Sequence, residues 1–293
     1  MTHGGAAANQ STFFRSLFFI LAGVLPVLIL FAAGCGASEP GDTGQETGTV
    51  TPEGSRPGWM PGPLETIEDF SAAVLEWQAQ WISNLPHRIA EARNWQEVAS
   101  GNPETARVAL TFDAGASAAP TPSILDTLAA EGIRATFFVT GQFASEHPDL
   151  VRRMATEGHE IGNHSYHHPR FTEISDSRIA GELGSTDEVI TGLIGRSTRP
   201  YFRFPYGARN QAAVDAVRAE GYMSIFWTID TIDWDPARTP AQVRNSVASR
   251  AGPGAIVLMH CGSPQTAEVL HLVIADLRVM GLEPGNLSSV LAE

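Results

Sequence analysis

Val108-Ala109-Leu110-Thr111-Phe112-Asp113-Ala114-Gly115 is an apolar run that ends in a carboxylate and a glycine. A strand buried on both faces reads as a near-continuous apolar run, not as an alternation. The stretch therefore predicts a parallel strand that hands an acid to a loop at its C-terminal end. Similar runs follow at 134–139, 159–163, 200–204, 222–229 and 255–260, with a weaker one near 282–287. Helix-like segments lie between them at 122–131, 147–157, 176–194, 210–220, 239–250 and 265–280. Pro122, Pro148 and Pro240 suit helix starts, and Gly132, Gly158, Gly221 and Gly281 suit helix ends. Strands alternating with helices argue a parallel α/β fold of seven units.

The polar residues cluster where these runs end. After Glu160-Ile161-Gly162 comes Asn163-His164-Ser165-Tyr166-His167-His168-Pro169. His164 and His168, four residues apart, suit one divalent metal if the segment makes a helical turn. Tyr201-Phe202-Arg203-Phe204-Pro205-Tyr206-Gly207 sets one guanidinium among aromatic and proline residues. Trp227 to Asp235 carries Asp230, Asp233 and Trp234, and Ala255-Ile256-Val257-Leu258-Met259-His260 ends in a lone imidazole. Each has an ordinary reading: a capping Asp, a core-edge Arg, a satisfied His. Five such strand ends in one domain are hard to explain as caps alone, and the C-terminal ends of parallel strands are where such folds place their chemistry.

In order, these segments read TFDAG at 111–115, HSYHH at 164–168, RFPY at 203–206, DTIDW at 230–234 and LMH at 258–260. The set resembles the five motifs of the polysaccharide deacetylases of the NodB-homology type, carbohydrate esterase family four, over residues 105–293. The resemblance implies a distorted (β/α)7 barrel with the motifs at its C-terminal mouth. It implies that Asp113 is the general base and that Arg203 holds its carboxylate, a task a planar guanidinium performs bidentately. It implies a Tyr206 backbone N–H at the oxyanion and His260 as general acid, tuned by Asp230 or Asp233, between which spacing does not choose. Trp234 and Leu258 would wall the acetyl pocket, with plain core packing as their alternative. His164 and His168 would hold a divalent metal, zinc foremost. One position departs: the family's third ligand, an Asp, is Ala114 here. Two protein ligands fall below the three usual for catalytic zinc. Asp113, a water or His167 would have to complete the shell, or the site is metal-free.

Residues 1–16 carry Arg15 and no acid, Leu17 to Ala33 is apolar, and Gly34-Cys35 follows. That is the layout of a secretory signal, and the small residues before Cys35 suit lipidation of that cysteine. The expected organisation is a signal at 1–34, a Gly/Pro/Ser/Thr-rich tether at 35–63, a helical lead-in at 64–104 and the deacetylase-like domain at 105–293. The lead-in has Ile67, Phe70, Val74, Trp77 and Trp81 at helical steps. The chain is expected outside the cytoplasmic membrane, anchored to the bilayer through lipid on Cys35, with a transmembrane anchor or free secretion as alternatives. Cys261 then has no partner, so no disulfide framework exists. The net charge of −13 disfavours nucleic acid as a partner; it leaves a neutral or amino-bearing glycan open.

The expected function is metal-assisted removal of N-acetyl groups from peptidoglycan or a chitin-like polysaccharide. An O-acetyl esterase would use the same chemistry, and a non-catalytic glycan-binding lipoprotein would account for Ala114.

Overall fold

The computed structural model describes residues 97–292. Cys35, the signal and tether segments and most of the expected lead-in helix lie outside them. The domain's eight strands are β1 (Arg107–Ala114), β2 (Thr136–Val139), β3 (Glu160–Asn163), β4 (Tyr201–Phe202), β5 (Met223–Ser224), β6 (Ile229–Asp230), β7 (Ala255–His260) and β8 (Glu283–Gly285). The helices are α1 (Thr121–Ala130), α2 (Gly141–Glu146), α3 (Pro148–Thr156), α4 (Asp176–Ile194), α5 (Gln211–Ala219), α6 (Pro240–Ala248), α7 (Pro264–Val279) and α8 (Leu287–Leu291). All the pairings are parallel, in the order β5-β4-β3-β2-β1-β7-β6, with β8 beside the start of β1. The expected parallel α/β architecture of the barrel type is present.

Helix boundaries follow local chemistry. Thr140, Ser175, Asn210, Ser263 and Asn286 each accept a backbone N–H of the first turn through the side chain. Thr239 and Gln242 form a reciprocal capping box at the start of α6. Two elements differ from the sequence reading. α2 was not expected; its signal was the Thr140 cap, masked by the Pro148 start of α3 only a turn later. The run 222–229 is not one strand but two, β5 and β6, which pair with opposite edges of the sheet.

That break lies between the two edge strands of the sheet. β5 and β6 do not pair, so the covalent link Ile225–Thr228 spans the gap between the edges. Val98 pads it: Val98 N–H donates to Ser224 O at 2.9 Å, Phe226 N–H donates to Val98 O at 2.8 Å, and Val98 pairs with Ile225 as an isolated parallel bridge. A continuous eight-residue strand cannot serve both edges, and that geometric demand outweighs the β-propensity of the run.

Two apolar clusters flank the sheet. Along β1, Val108, Leu110, Phe112 and Ala114 pack outward with α1 and α7, whereas Ala109 packs inward with Phe138, Ile256, Leu258 and Trp227. On β7 the inward set is Ile256 and Leu258, the outward set Val257 and Met259. The period of two along a strand then puts Asp113 and His260 on the inner face, one step beyond the apolar residues. Their Cα atoms are partners in the β1–β7 register.

Candidate active site

Asp113 is 7 % exposed, and its Oδ1 accepts from Arg203 Nη1 at 2.9 Å. Arg203 itself is wholly buried. Nη1 also donates to Thr111 Oγ1 at 2.9 Å, Nε to Ile225 O at 3.3 Å and Nη2 to Phe226 O at 3.4 Å. The guanidinium lies 4.2 Å from the Phe138 ring centre. It therefore crosses the barrel, tying β1 to the carbonyls of the link between the edge strands. The expected bidentate grip on Asp113 is not seen: one N–H reaches the carboxylate, because the other donors satisfy carbonyls on the opposite wall. Burial raises the Asp113 pKa, but Arg203 first, then His164 and His260, outweigh it and hold the carboxyl below the usual range.

His260 stands opposite, with its ring partly open to solvent. Its Nδ1 meets Asp233 Oδ1 at 2.7 Å, and its backbone N–H donates to Asp233 Oδ2 at 2.9 Å. Thr266 Oγ1 donates to the same Oδ2. Burial lowers the imidazole's pKa, yet contact with Asp233, helped by Asp113 and Asp230, raises it to about 9. Of the two acids, Asp233 is the one in hydrogen-bond contact with His260, and Asp230 acts on it only through its charge. Asp230 is also buried, and its Oδ1 accepts from Ile232 N–H at 2.9 Å, within a turn where Ile232 has φ +56°. A β-branched residue is strained in that region, and the Asp230 contact helps hold it there.

The imidazole pair converges, though not on a helix. His164 and His168 occupy a loop after β3 in which Ser165 and His168 have φ of +65° and +58°. Their Nε2 atoms are 3.2 Å apart, and His164 Nε2 is 3.5 Å from Asp113 Oδ2. His164 Nδ1 is 2.9 Å from Arg203 O, an acceptor, so Nδ1 carries the proton and Nε2 presents a lone pair to His168. Burial, then His164, pushes the His168 pKa down to about 3, and burial likewise lowers that of His164. Two neutral imidazoles with Nε2 atoms at that separation suit adjacent positions around one small cation, for which bonds of about 2.1 Å are usual.

Among the described residues, no third side chain is set beside the two imidazoles as a dedicated donor. Ala114 is fully buried in the outer cluster and offers no donor. His167, one candidate for the vacant place, is turned to Glu182, with Nδ1 3.0 Å from Oε1. Among the described residues, no group of three or more His, Cys, Asp or Glu side chains is arranged to hold a metal ion. The donor set fits one part of a cation's coordination and leaves the rest to water or to Asp113.

Glu182 is a buried residue behind the site that the sequence did not announce. It projects from α4, is 2 % exposed, and its Oε2 accepts from the backbone N–H groups of Tyr166 at 2.9 Å and His167 at 2.8 Å. It thereby pins the loop between the two imidazoles. The signal was an acid on the buried stripe of an amphipathic helix, a place where an unpaired charge is rare.

Tyr206 and Gly207 follow one another in the left-handed region, with φ of +56° and +55°. The neighbouring Gly207 and Ala208 N–H groups donate to Phe204 O at 3.0 Å and Pro205 O at 2.9 Å, whereas the Tyr206 N–H makes no such bond among the described residues. The Tyr206 ring is 55 % exposed and packs edge-on to His168 at 4.5 Å. Trp234 is also exposed, whereas Leu258 is buried in the inner cluster.

Residues 100–225 match the family model described as polysaccharide deacetylase. The chain is 34% identical over 195 residues to the peptidoglycan-N-acetylmuramic acid deacetylase PdaA of Bacillus subtilis, covering 66% of this chain and 74% of that protein. The solved structure of that protein, described as a family 4 carbohydrate esterase, superposes with a TM-score of 0.65 at 32% identity, over 69% of this chain and 87% of its own. A family four pseudoenzyme from Bacillus anthracis superposes with a TM-score of 0.64 at 30% identity, over 67% of this chain and 69% of its own. The chain belongs to the polysaccharide deacetylase family, carbohydrate esterase family four. Deacetylases of this family are in general metal-dependent.

Proposed function

We propose that this chain hydrolyses N-acetyl groups of a cell-wall polysaccharide, peptidoglycan foremost. The observation that carries the reading is the pairing of Asp113 and His260. A carboxylate held ionised and an imidazole held protonated face one mouth from register-paired positions, each fixed by its own buried partner. Pairs of titratable groups pushed in opposite directions mark acid and base roles.

In this mechanism Asp113 takes a proton from the attacking water while Arg203 keeps the carboxylate aligned. The oxygen of the tetrahedral adduct gathers negative charge in front of the Tyr206 N–H, which is already oriented and so has little reorganisation left to undergo. His260, with Nδ1 committed to Asp233, gives a proton from Nε2 to the departing nitrogen. The products are acetate and a free amine. The exposed Trp234 would wall the acetyl group together with Leu258, which is buried in the inner cluster. A divalent cation, zinc by donor type, would bind at His164 and His168 and supply Lewis acidity toward the acetyl oxygen and the water. Lipid on Cys35 would keep the enzyme at the outer side of a membrane, near its polymer.

A second reading, a glycan-binding protein without turnover, is favoured by one observation: Ala114 stands where the family's third metal ligand belongs. Acetate release from peptidoglycan, N-acetylated chitooligosaccharides and O-acetylated xylan, with and without added zinc, tests both. Release from the N-acetylated substrates, raised by metal, is expected. Release from xylan alone makes the chain an esterase, and binding without release under every metal condition makes it non-catalytic.

A further inference from the structure

We propose that Glu97, upstream of all five motifs, is a positioning residue for this reaction, acting through Arg209 on the turn that presents the Tyr206 amide. The inference rests on the deacetylase reading above. Glu97 and Arg209 form a buried ion pair, their side chains 0% and 2% exposed, with Arg209 Nε 2.6 Å from Glu97 Oε2. Arg209 Nη1 donates to Gly207 O at 3.4 Å, and the guanidinium lies 3.7 Å from the Phe226 ring centre. The other carboxylate oxygen, Oε1, accepts from Ser224 Oγ at 2.5 Å.

The pair therefore sits between two parts of the site. On one side is the Tyr206–Gly207 turn, whose consecutive left-handed residues need external support. On the other is the Ile225–Phe226 link, whose carbonyls hold Arg203 and, through it, Asp113. A staple whose only task was to fix residues 97–101 to the sheet edge would not need charge. Val98 already supplies two backbone hydrogen bonds there, and Gly101 N–H adds a third to Gly254 O at 2.7 Å. Desolvating two ions costs more than an apolar contact would, so the pair is better explained by direction than by adhesion. The planar guanidinium can address the Gly207 carbonyl and the Glu97 carboxylate along fixed vectors.

The test compares Glu97→Gln, Glu97→Asp and the apolar triple variant Glu97→Leu/Arg209→Met/Ser224→Ala with wild type, following acetate release and thermal unfolding. Replacing a buried ion pair by apolar groups is often neutral for stability, so the triple variant should unfold near the wild-type temperature. Its kcat should fall about tenfold or more with KM within about twofold, the pattern of an interaction made only in the transition state. Glu97→Gln should show the same split, and Glu97→Asp should recover part of the rate. Wild-type kcat in a stable triple variant overturns the proposal. So does a rate loss that tracks the loss of folded protein across the series; if the triple variant does not fold, Glu97→Gln carries the comparison. Hydrogen exchange at the hydrogen-bonded Gly207 and Ala208 amides needs no turnover and separates this proposal from the deacetylase reading. Faster exchange there in Glu97→Gln supports the clamp even if wild type releases no acetate, and unchanged exchange overturns it even if the enzyme is active.

Discussion

Asp113 and His260 face each other from adjacent strands, and each is gripped from behind by a buried partner, Arg203 or Asp233. His164 and His168 face each other from a single loop, gripped through backbone contacts to Glu182 and the Arg203 carbonyl, with a methyl group where a third ligand would stand. The acid–base half is thus complete in the absence of any ligand. The imidazole half has its tautomer set and its spacing held, yet its donor set is short. The difference separates two things a site must do. Moving protons needs only groups whose pKa values are pushed apart. Holding a cation needs enough donors to replace its water. In this chain Asp113 and His260 each have a buried partner, whereas His164 and His168 have no third donor set beside them among the described residues.

The largest effect should come from the acid–base half. Asp113→Asn keeps the shape and removes the base, so kcat should fall by about 10²–10⁴-fold. The Arg203 pairing should persist in weaker form, with unfolding still cooperative. Near wild-type turnover in this variant would break the comparison at its stronger side.

Asp233→Asn should cost less and shift the pH profile. In wild type His260 is protonated up to about 9, so the rate should decline on the alkaline side near that value. Without the Asp233 charge, burial dominates and the alkaline limb should move down toward or below the ordinary histidine value of about 6.5. Stability should follow with the same sign. A raised imidazole pKa contributes stability that is fully present below about 6.5 and is lost as pH rises through about 9. Wild type should therefore lose melting temperature across that window, and Asp233→Asn should show a flatter dependence. An unchanged alkaline limb would mean that another group is the acid.

The same asymmetry governs what the sequence made legible. The strand ends that carry Asp113 and His260 were readable because an apolar run stops at a titratable residue, and the period of two puts it on the inner face. The choice of Asp233 over Asp230 was not readable, since it depends on the turn at Ile232, a left-handed β-branched residue that no propensity favours. The splitting of 222–229 was hidden because its composition suits one strand; only pairing with both edges of the sheet demands two. Glu182 and Glu97 lie about 16 and 110 residues from the turns they face, and a single chain without a three-dimensional frame gives no reason to connect them.

The smallest and most informative effect belongs to the imidazole half. Ala114 lies at the end of β1, fully buried in the outer apolar cluster and next to Asp113 in sequence. Ala114→Asp would place a second carboxylate next to Asp113 in the chain, in the dry cluster that packs outward from β1. Like charges and burial both raise a carboxyl pKa, so in chelator the variant should be less stable than wild type at neutral pH. Its melting temperature should fall, and fall less at lower pH where the new acid is protonated. A divalent cation reverses the sign: from the last residue of β1 the new carboxylate can leave the outer cluster and turn toward His164 and His168, where its charge offsets the cost of dehydrating the metal. Zinc affinity should rise by about 10–100-fold, at least the range typical of losing a supporting contact around a metal. The melting temperature should recover with zinc concentration as binding to the folded state alone requires. Calorimetric titration of chelator-stripped wild type, Ala114→Asp and His164→Ala/His168→Ala, read beside acetate release at limiting zinc, measures each step. If His164→Ala/His168→Ala binds zinc as tightly as wild type, the loop's two imidazoles are not part of a metal site, and the acid–base half must be understood without one.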